Sequence, residues 1–152
     1  LDLYAGAGSF ALEALSRGAK EATLVDASKQ GNIIIQRNIA HTGFLPQADV
    51  IKSKVEDFIQ KYKESDKTWD IIFMDPPYKL YNTKRVEKME RIINDASSLL
   101  PGVKNPKTKK FKGAFIIKHP KRYPIDKLNL KYIKRVDTYE FGLNSISLYI
   151  VK

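Results

Sequence analysis

Residues 5–11 read Ala5-Gly6-Ala7-Gly8-Ser9-Phe10-Ala11, and no other stretch restricts the fold as much. It fits G-x-G-x-x-[GA], which has physical meaning only where a strand turns tightly into a helix. Both flanks supply that context. Leu1–Tyr4 is apolar and short, as the tail of a strand would be. Phe10–Arg17 is rich in good helix formers, with Ser9 as the expected N-cap and Gly18 as the expected stop. Such a turn places backbone N–H groups and the positive end of a helix dipole beside the strand's carboxyl end. Twenty residues after Gly6, Asp26 ends a second strand, Ala22–Asp26. A carboxylate at that point can accept both hydroxyls of a ribose. The pair therefore predicts an adenosine-containing cofactor. It does not separate NAD from S-adenosylmethionine.

The remaining chain keeps the same alternation. Ser28 can cap a helix running to about His41 and ended by Gly43; Gly31 in its first turn weakens it. Ala48–Lys52 reads as a third strand. Ser53 can cap a helix whose Val55, Phe58, Ile59 and Tyr62 share one face. A long helix follows on Val86, Met89, Ile93, Ala96 and Leu100, closed by Pro101-Gly102. Then come a strand over 113–118 and two strands over 130–140 and 145–151, joined by Gly142-Leu143-Asn144. This is an α/β, doubly wound, Rossmann-like pattern, mostly parallel, ending in an antiparallel hairpin. One domain covering 1–152 is expected. The chain opens without Met and already inside a strand, so a preceding segment is expected as well.

Between the third and fourth helices lies Trp69-Asp70-Ile71-Ile72-Phe73-Met74-Asp75-Pro76-Pro77-Tyr78. Five of its first six residues are apolar, as in a strand buried on both faces. The two prolines remove backbone donors and end the strand there. What remains at its carboxyl end is an acceptor (Asp75), a rigid elbow (Pro76-Pro77) and a flat ring (Tyr78). A plain turn with a capping aspartate would read the same. Two features weigh for chemistry on a methyl group. Asp2, four residues before Gly6, could meet the ammonium group of a methionine moiety. Strands one and four are also expected to adjoin at the switch point where ligands bind in such sheets.

Charge bears on the partner. The net charge is +10, yet 101–135 carries twelve Lys/Arg and one acid, Asp126, leaving −1 for the rest. A basic block on one part of a fold is the footprint of a polyanion binder. A solvated lysine-rich face is the plainer alternative. The chain has no cysteine, which excludes thiolate metal sites and thiol nucleophiles and fits a reducing cytoplasm. No apolar run reaches the length of a membrane span. His41 and His119 lack ligand-like spacing, so no metal is expected. Trp69 reads as packing. Tyr81 and Lys118 could reach a substrate as loop and strand-end residues.

Four segments resemble one family: Leu1–Gly8, Leu12-Glu13-Ala14-Leu15-Ser16-Arg17-Gly18-Ala19, Thr23–Asp26, and Asp75-Pro76-Pro77-Tyr78. Together they look like the RsmD family of bacterial 16S ribosomal RNA guanine-N2 methyltransferases. The resemblance runs along nearly the whole chain; the Leu-Glu-Ala-Leu-Ser-Arg-Gly-Ala helix is its most specific part. It implies a class I methyltransferase fold, with S-adenosylmethionine as cofactor and ribosomal RNA or a small-subunit assembly intermediate as partner. It also implies that Asp2, Gly6 and Gly8 line the methionine side, with Tyr4 among the cofactor residues. Asp26 would hold the ribose and Val55 would lie near the adenine. The family usually places an acid near residues 53 and 54. Here Ser53 and Lys54 stand there, and Glu56 and Asp57 come later. The family also has a basic N-terminal segment, absent here. A monomer in the cytoplasm is expected.

The implied catalytic residues are Asp75, Pro76, Pro77 and Tyr78, with Asp75 also facing the cofactor. Other readings stay open at this stage. The same tetrad serves methyl transfer to adenine N6, cytosine N4 or protein glutamine. A dinucleotide-dependent oxidoreductase would use Gly6, Gly8 and Asp26 but leave Asp75–Tyr78 idle. A non-catalytic RNA-binding domain would not need the tetrad.

Overall fold

The computed structural model describes all residues except 83, 85, 109 and 110. Two of the lysines of the basic segment, Lys109 and Lys110, therefore lie outside the described residues. The chain gathers into two compact units, Leu1–Phe58 and Ile59–Lys152.

The first unit is β1 (Asp2–Leu3), α1 (Ser9–Ser16), β2 (Ala22–Asp26), α2 (Lys29–Thr42), β3 (Ala48–Lys52) and the start of α3 (Val55–Lys63). Its strands are parallel, in the order β3-β2-β1, with Asp2 opposite Leu24 and Ala22 opposite Ala48. Ala5, Ala11, Leu15, Leu24, Ile35 and Ile39 form the core, so α1 and α2 each bury a stripe against β2. Two stops behave as the residue types require. Gly18 (φ 96) and Gly43 (φ 79) take the left-handed conformation that closes α1 and α2. Ser28 caps α2 as expected, its hydroxyl accepting from Gly31 N–H at 3.1 Å.

Two cap expectations are corrected. Ser9 is already helical; the N-cap of α1 is Gly8, left-handed and without a side-chain cap. The residue before α3 is Lys54 rather than Ser53, and the Ser53 hydroxyl donates to the Lys54 carbonyl, one residue on.

The second unit holds β4 (Ile71–Met74), α4 (Val86–Ser97), α5 (Pro101–Lys104), β5 (Ala114–Pro120), β6 (Ile133–Phe141) and β7 (Asn144–Val151). The order is β4-β5-β7-β6, parallel between β4 and β5 and antiparallel beyond. Phe115, Ile117 and His119 alternate onto the buried face and pair with Tyr149, Ser147 and Ser145. Pro101-Gly102 does not close the long helix: α4 already ends at Ser97, Leu100 is the extended N-cap of α5, and Pro101 opens α5, because proline fits the first turn of a helix. The hairpin turn is the two residues Gly142-Leu143, with Gly142 at φ 52. Asn144 is the first residue of β7 rather than part of the turn. The architecture is mixed α/β, with seven strands among the described residues. No described helix is long and apolar enough to cross a membrane.

Candidate functional site

In the first unit the glycine turn and Asp26 meet. Gly6 N–H donates to Asp26 Oδ2 at 2.9 Å, and Ser28 N–H donates to Oδ1 at 2.8 Å. The carboxylate at the end of β2 thus fastens the loop after β1 to the loop before α2. Gly31 explains itself here. A Cβ on it would sit 3.0 Å from Asp26 Oδ1, so the glycine that weakens α2 leaves room for the carboxylate. Asn32 donates to the carbonyls of Asp26 (2.9 Å) and Ser28 (2.8 Å), and Asn38 donates to the Ala7 carbonyl at 2.9 Å. Neither asparagine stood out in the sequence. The signal was available, because asparagine is a weak helix former and α2 holds two.

The two motif glycines differ in kind. Gly8 at φ 79 is wedged into the core, and a Cβ there would lie 2.9 Å from Leu24 and 3.7 Å from Ile35. It permits α1 to press on β2 and α2. Gly6 at φ 57 has only the Tyr4 carbonyl, at 3.9 Å, near the place of a Cβ, so its face is open. Asp2 is buried, and its Oδ2 accepts from Ala11 N–H at 3.3 Å in the first turn of α1. That position suits a carboxylate at a helix N-terminus.

Tyr4 is the one non-glycine residue with positive φ among those described, at 65°. A bulky residue in that region stores strain and points to function. Its hydroxyl is buried without a hydrogen-bond partner among the described residues. Its pKa is pushed well above the ordinary tyrosine value, first by burial and then by the nearby Glu56 charge. Val55 is buried in the first turn of α3. An orphaned hydroxyl, an open glycine face and a carboxylate at a strand end fit a nucleoside-bearing cofactor that also carries a polar amino-acid part.

The second unit holds the other constellation. Asp75 follows the last residue of β4. Pro76 is buried and Pro77 exposed, at φ −60 and ψ 144, and a single 3-10 turn carries Tyr78. Tyr78 is 69% exposed, a ring offered to solvent. Its hydroxyl donates to Asn144 Oδ1 at 3.1 Å, which ties the Pro-Pro-Tyr elbow to the first residue of β7. Lys118, on β5, donates to Asp75 Oδ2 at 2.7 Å. The Tyr81 hydroxyl donates to the Lys118 carbonyl. The Tyr81 ring meets Tyr123 edge-on, at 5.0 Å between centroids. So Tyr81 and Lys118, singled out as loop and strand-end residues, both lie at the Asp75 corner; Asn144 was missed.

His119 is buried and serves packing. It lies 3.0 Å from the Pro120 carbonyl through Nδ1 and 2.9 Å from the Ser147 hydroxyl through Nε2. Burial lowers its pKa below the ordinary histidine value. His41 stands in the last turn of α2. Among the described residues no His, Asp or Glu cluster could hold a metal. Trp69 packs edge-on against Tyr62 at 5.3 Å, as a core residue would.

The family model described as "Conserved hypothetical protein 95" (Cons_hypoth95) matches residues 1–149. The chain is 28% identical over 107 residues to Ribosomal RNA large subunit methyltransferase I of Klebsiella pneumoniae, covering 70% of this chain and 27% of that protein. It is 35% identical over 79 residues to Ribosomal RNA small subunit methyltransferase D of Haemophilus influenzae, covering 51% and 40%. The chain thus spans well under half the length of these relatives. A solved chain named as a methyltransferase and complexed with SAH superposes with a TM-score of 0.76 at 15% identity, covering 99% of this chain and 44% of that one. The fold is that of the class I methyltransferases.

Proposed function

Because this chain belongs to the Cons_hypoth95 family across residues 1–149, the RsmD family whose motifs it carries, we propose that it transfers a methyl group from S-adenosylmethionine to the exocyclic N2 amino group of a guanine in small-subunit ribosomal RNA. One observation carries the reading toward an amino nitrogen. Asp75 stands at the carboxyl end of β4, on a rigid Pro-Pro elbow, beside an exposed ring. Both curated relatives are named as ribosomal RNA methyltransferases, which supports the substrate class.

When bound, S-adenosylmethionine supplies a methyl group on a sulfonium, an electrophile that needs no further activation. The first unit's residues hold it. Asp26 is placed to accept the ribose hydroxyls. Gly6 leaves the backbone approachable, and Asp2 and the orphaned Tyr4 hydroxyl offer polar partners for the amino-acid part. Val55 offers an apolar wall to the adenine. The acceptor is handled by the second unit. An aromatic amino group is a poor nucleophile because its lone pair is delocalised into the ring. Asp75 accepts one of its N–H bonds, and the Pro76 carbonyl is a candidate acceptor for another, which localises density on nitrogen. Tyr78 stacks on the unpaired base and fixes its plane. With the methyl group supplied by the bound cofactor, Asp75 would take the surplus proton from the methylated nitrogen. The target base has to leave its stack to reach the site. The basic residues of 101–135 meet the RNA backbone.

The large-subunit relative matches more of this chain than the small-subunit one, so large-subunit ribosomal RNA is the second reading. The deciding experiment incubates the full-length protein with labelled S-adenosylmethionine and ribosomal RNA from a strain lacking the gene. Label mapped to N2 of a small-subunit guanine is the expected result. Label on large-subunit RNA alone, or on a ring carbon, overturns the proposal.

A further inference from the structure

We propose that Lys118 is the positioning residue of the acceptor corner: its ammonium, bound to Asp75 Oδ2, turns the carboxylate so that Oδ1 is presented to the target amino group. The inference rests on the reading of Asp75 as the acceptor of an amino N–H. Sheet register puts the two together. Met74 pairs with Ile117 at the end of the β4–β5 ladder. Asp75 and Lys118 are therefore the next residues on neighbouring parallel strands, whose backbones lie about 4.8 Å apart. The 2.7 Å contact follows from that register rather than from a chance meeting of two long side chains.

Lys118 is also held from behind. Its carbonyl accepts from the Tyr81 hydroxyl, and Tyr81 leans edge-on against Tyr123, which is buried. Its neighbours on either side, Ile117 and His119, are buried core positions of β5. The backbone under the ammonium is thus fixed while its tip reaches the strand end. The side chains of Lys118 and Asp75 are 31% and 37% exposed. An ion pair that open to water adds little to stability, so stability alone gives little reason for it to stand here. A carboxylate has roughly four lone-pair positions and the lysine takes one. Among the described residues, no hydrogen bond is made to Oδ1. An acceptor that rotates freely would meet the amino group in many orientations; one clamped on Oδ2 meets it in few, which is how positioning lowers a barrier.

The test uses the full-length protein, ribosomal RNA from the strain lacking the gene, and labelled S-adenosylmethionine, comparing wild type with Lys118→Met, Lys118→Gln and Lys118→Arg. Lys118→Met is expected to lower kcat on the order of 10- to 100-fold, with KM for RNA within about threefold. Kd for S-adenosylmethionine by calorimetry and the melting temperature should stay at wild-type values. Lys118→Arg should restore most of kcat. Lys118→Gln carries the same comparison should the methionine variant not fold. A kcat equal to wild type in both neutral variants overturns the proposal. So does a loss confined to KM for RNA, which would make Lys118 a phosphate contact. A wild-type protein that methylates no RNA sinks the parent reading. An active wild type with an indifferent Lys118 sinks this one alone.

Discussion

In the proposed reading each unit contributes a carboxylate at a strand end, and the two carboxylates are held in different ways. Asp26 gives both oxygens to backbone N–H groups, from Gly6 and Ser28. Asp75 is held through one oxygen by the side chain of Lys118. Backbone partners cannot rotate away, so Asp26 is part of the frame that shapes the glycine loop. Lys118 holds only Oδ2, so Asp75 is oriented yet keeps Oδ1 available for one more hydrogen bond. A frame suits the recognition of an unchanging cofactor. An oriented acceptor with one oxygen still open suits a group whose protons leave during the reaction.

The largest break in this comparison comes from removing the half-open acceptor. Asp75→Ala should abolish methyl transfer, a loss of at least about 10²-fold, since both the N–H acceptor and the proton's destination go with it. S-adenosylmethionine binding by calorimetry should persist. Near wild-type turnover would show that Asp75 is only a turn residue. Asp26→Ala should instead damage frame and binding together. Two backbone donors lose a charged acceptor, which costs about 1–3 kcal/mol of stability by denaturant titration. Kd for S-adenosylmethionine should rise roughly 10- to 100-fold. An unchanged Kd would remove Asp26 from the ribose.

The glycines sharpen the contrast inside the first unit. Gly8→Ala drives a Cβ to 2.9 Å from Leu24 at φ 79, so the melting temperature should fall with a loss of about 1–3 kcal/mol. Gly6→Ala meets no side chain and adds only the strain of its positive φ, about 1 kcal/mol. Its methyl occupies the open face, so it should weaken S-adenosylmethionine binding more than it lowers stability. If both variants fail equally in unfolding and binding, the distinction between packing glycine and ligand-facing glycine falls.

Local chemistry made most of the frame legible in the sequence. The bounds of β2 and β3 and the Ser28 cap each follow from residues within a few positions, as do the glycine stops at 18 and 43. Errors arose where one residue type has two uses. Pro101 reads as a helix stop but begins α5, α4 having ended at Ser97. Ser9 follows a left-handed glycine that has already turned the chain, so the serine is one position too late to cap. Gly31 reads locally as a weak point, and its purpose appears only with Asp26 folded against it. The acceptor corner was half legible. Asp75-Pro76-Pro77-Tyr78 is contiguous, but Lys118 is 43 residues away and Asn144 is 66 residues from Tyr78. Only strand register brings them together, and composition carries no register.

The smallest expected effect tests whether the hairpin belongs to the second carboxylate's surroundings or merely borders them. Asn144 accepts from the Tyr78 hydroxyl at 3.1 Å, and the ring is exposed, so the bond is made in water. Asn144→Ala should therefore cost no more than about 1 kcal/mol of stability. If the bond fixes the plane in which Tyr78 meets a base, KM for RNA should rise a few-fold and Kd for S-adenosylmethionine should not move. Tyr78→Phe removes the same bond from the other side while keeping the ring, so it should reproduce the Asn144→Ala values. The double variant should then add nothing, because two residues joined by one bond share one interaction energy. Full additivity would mean that the hydroxyl and the amide act apart, and that the ring is held by the Pro-Pro elbow alone.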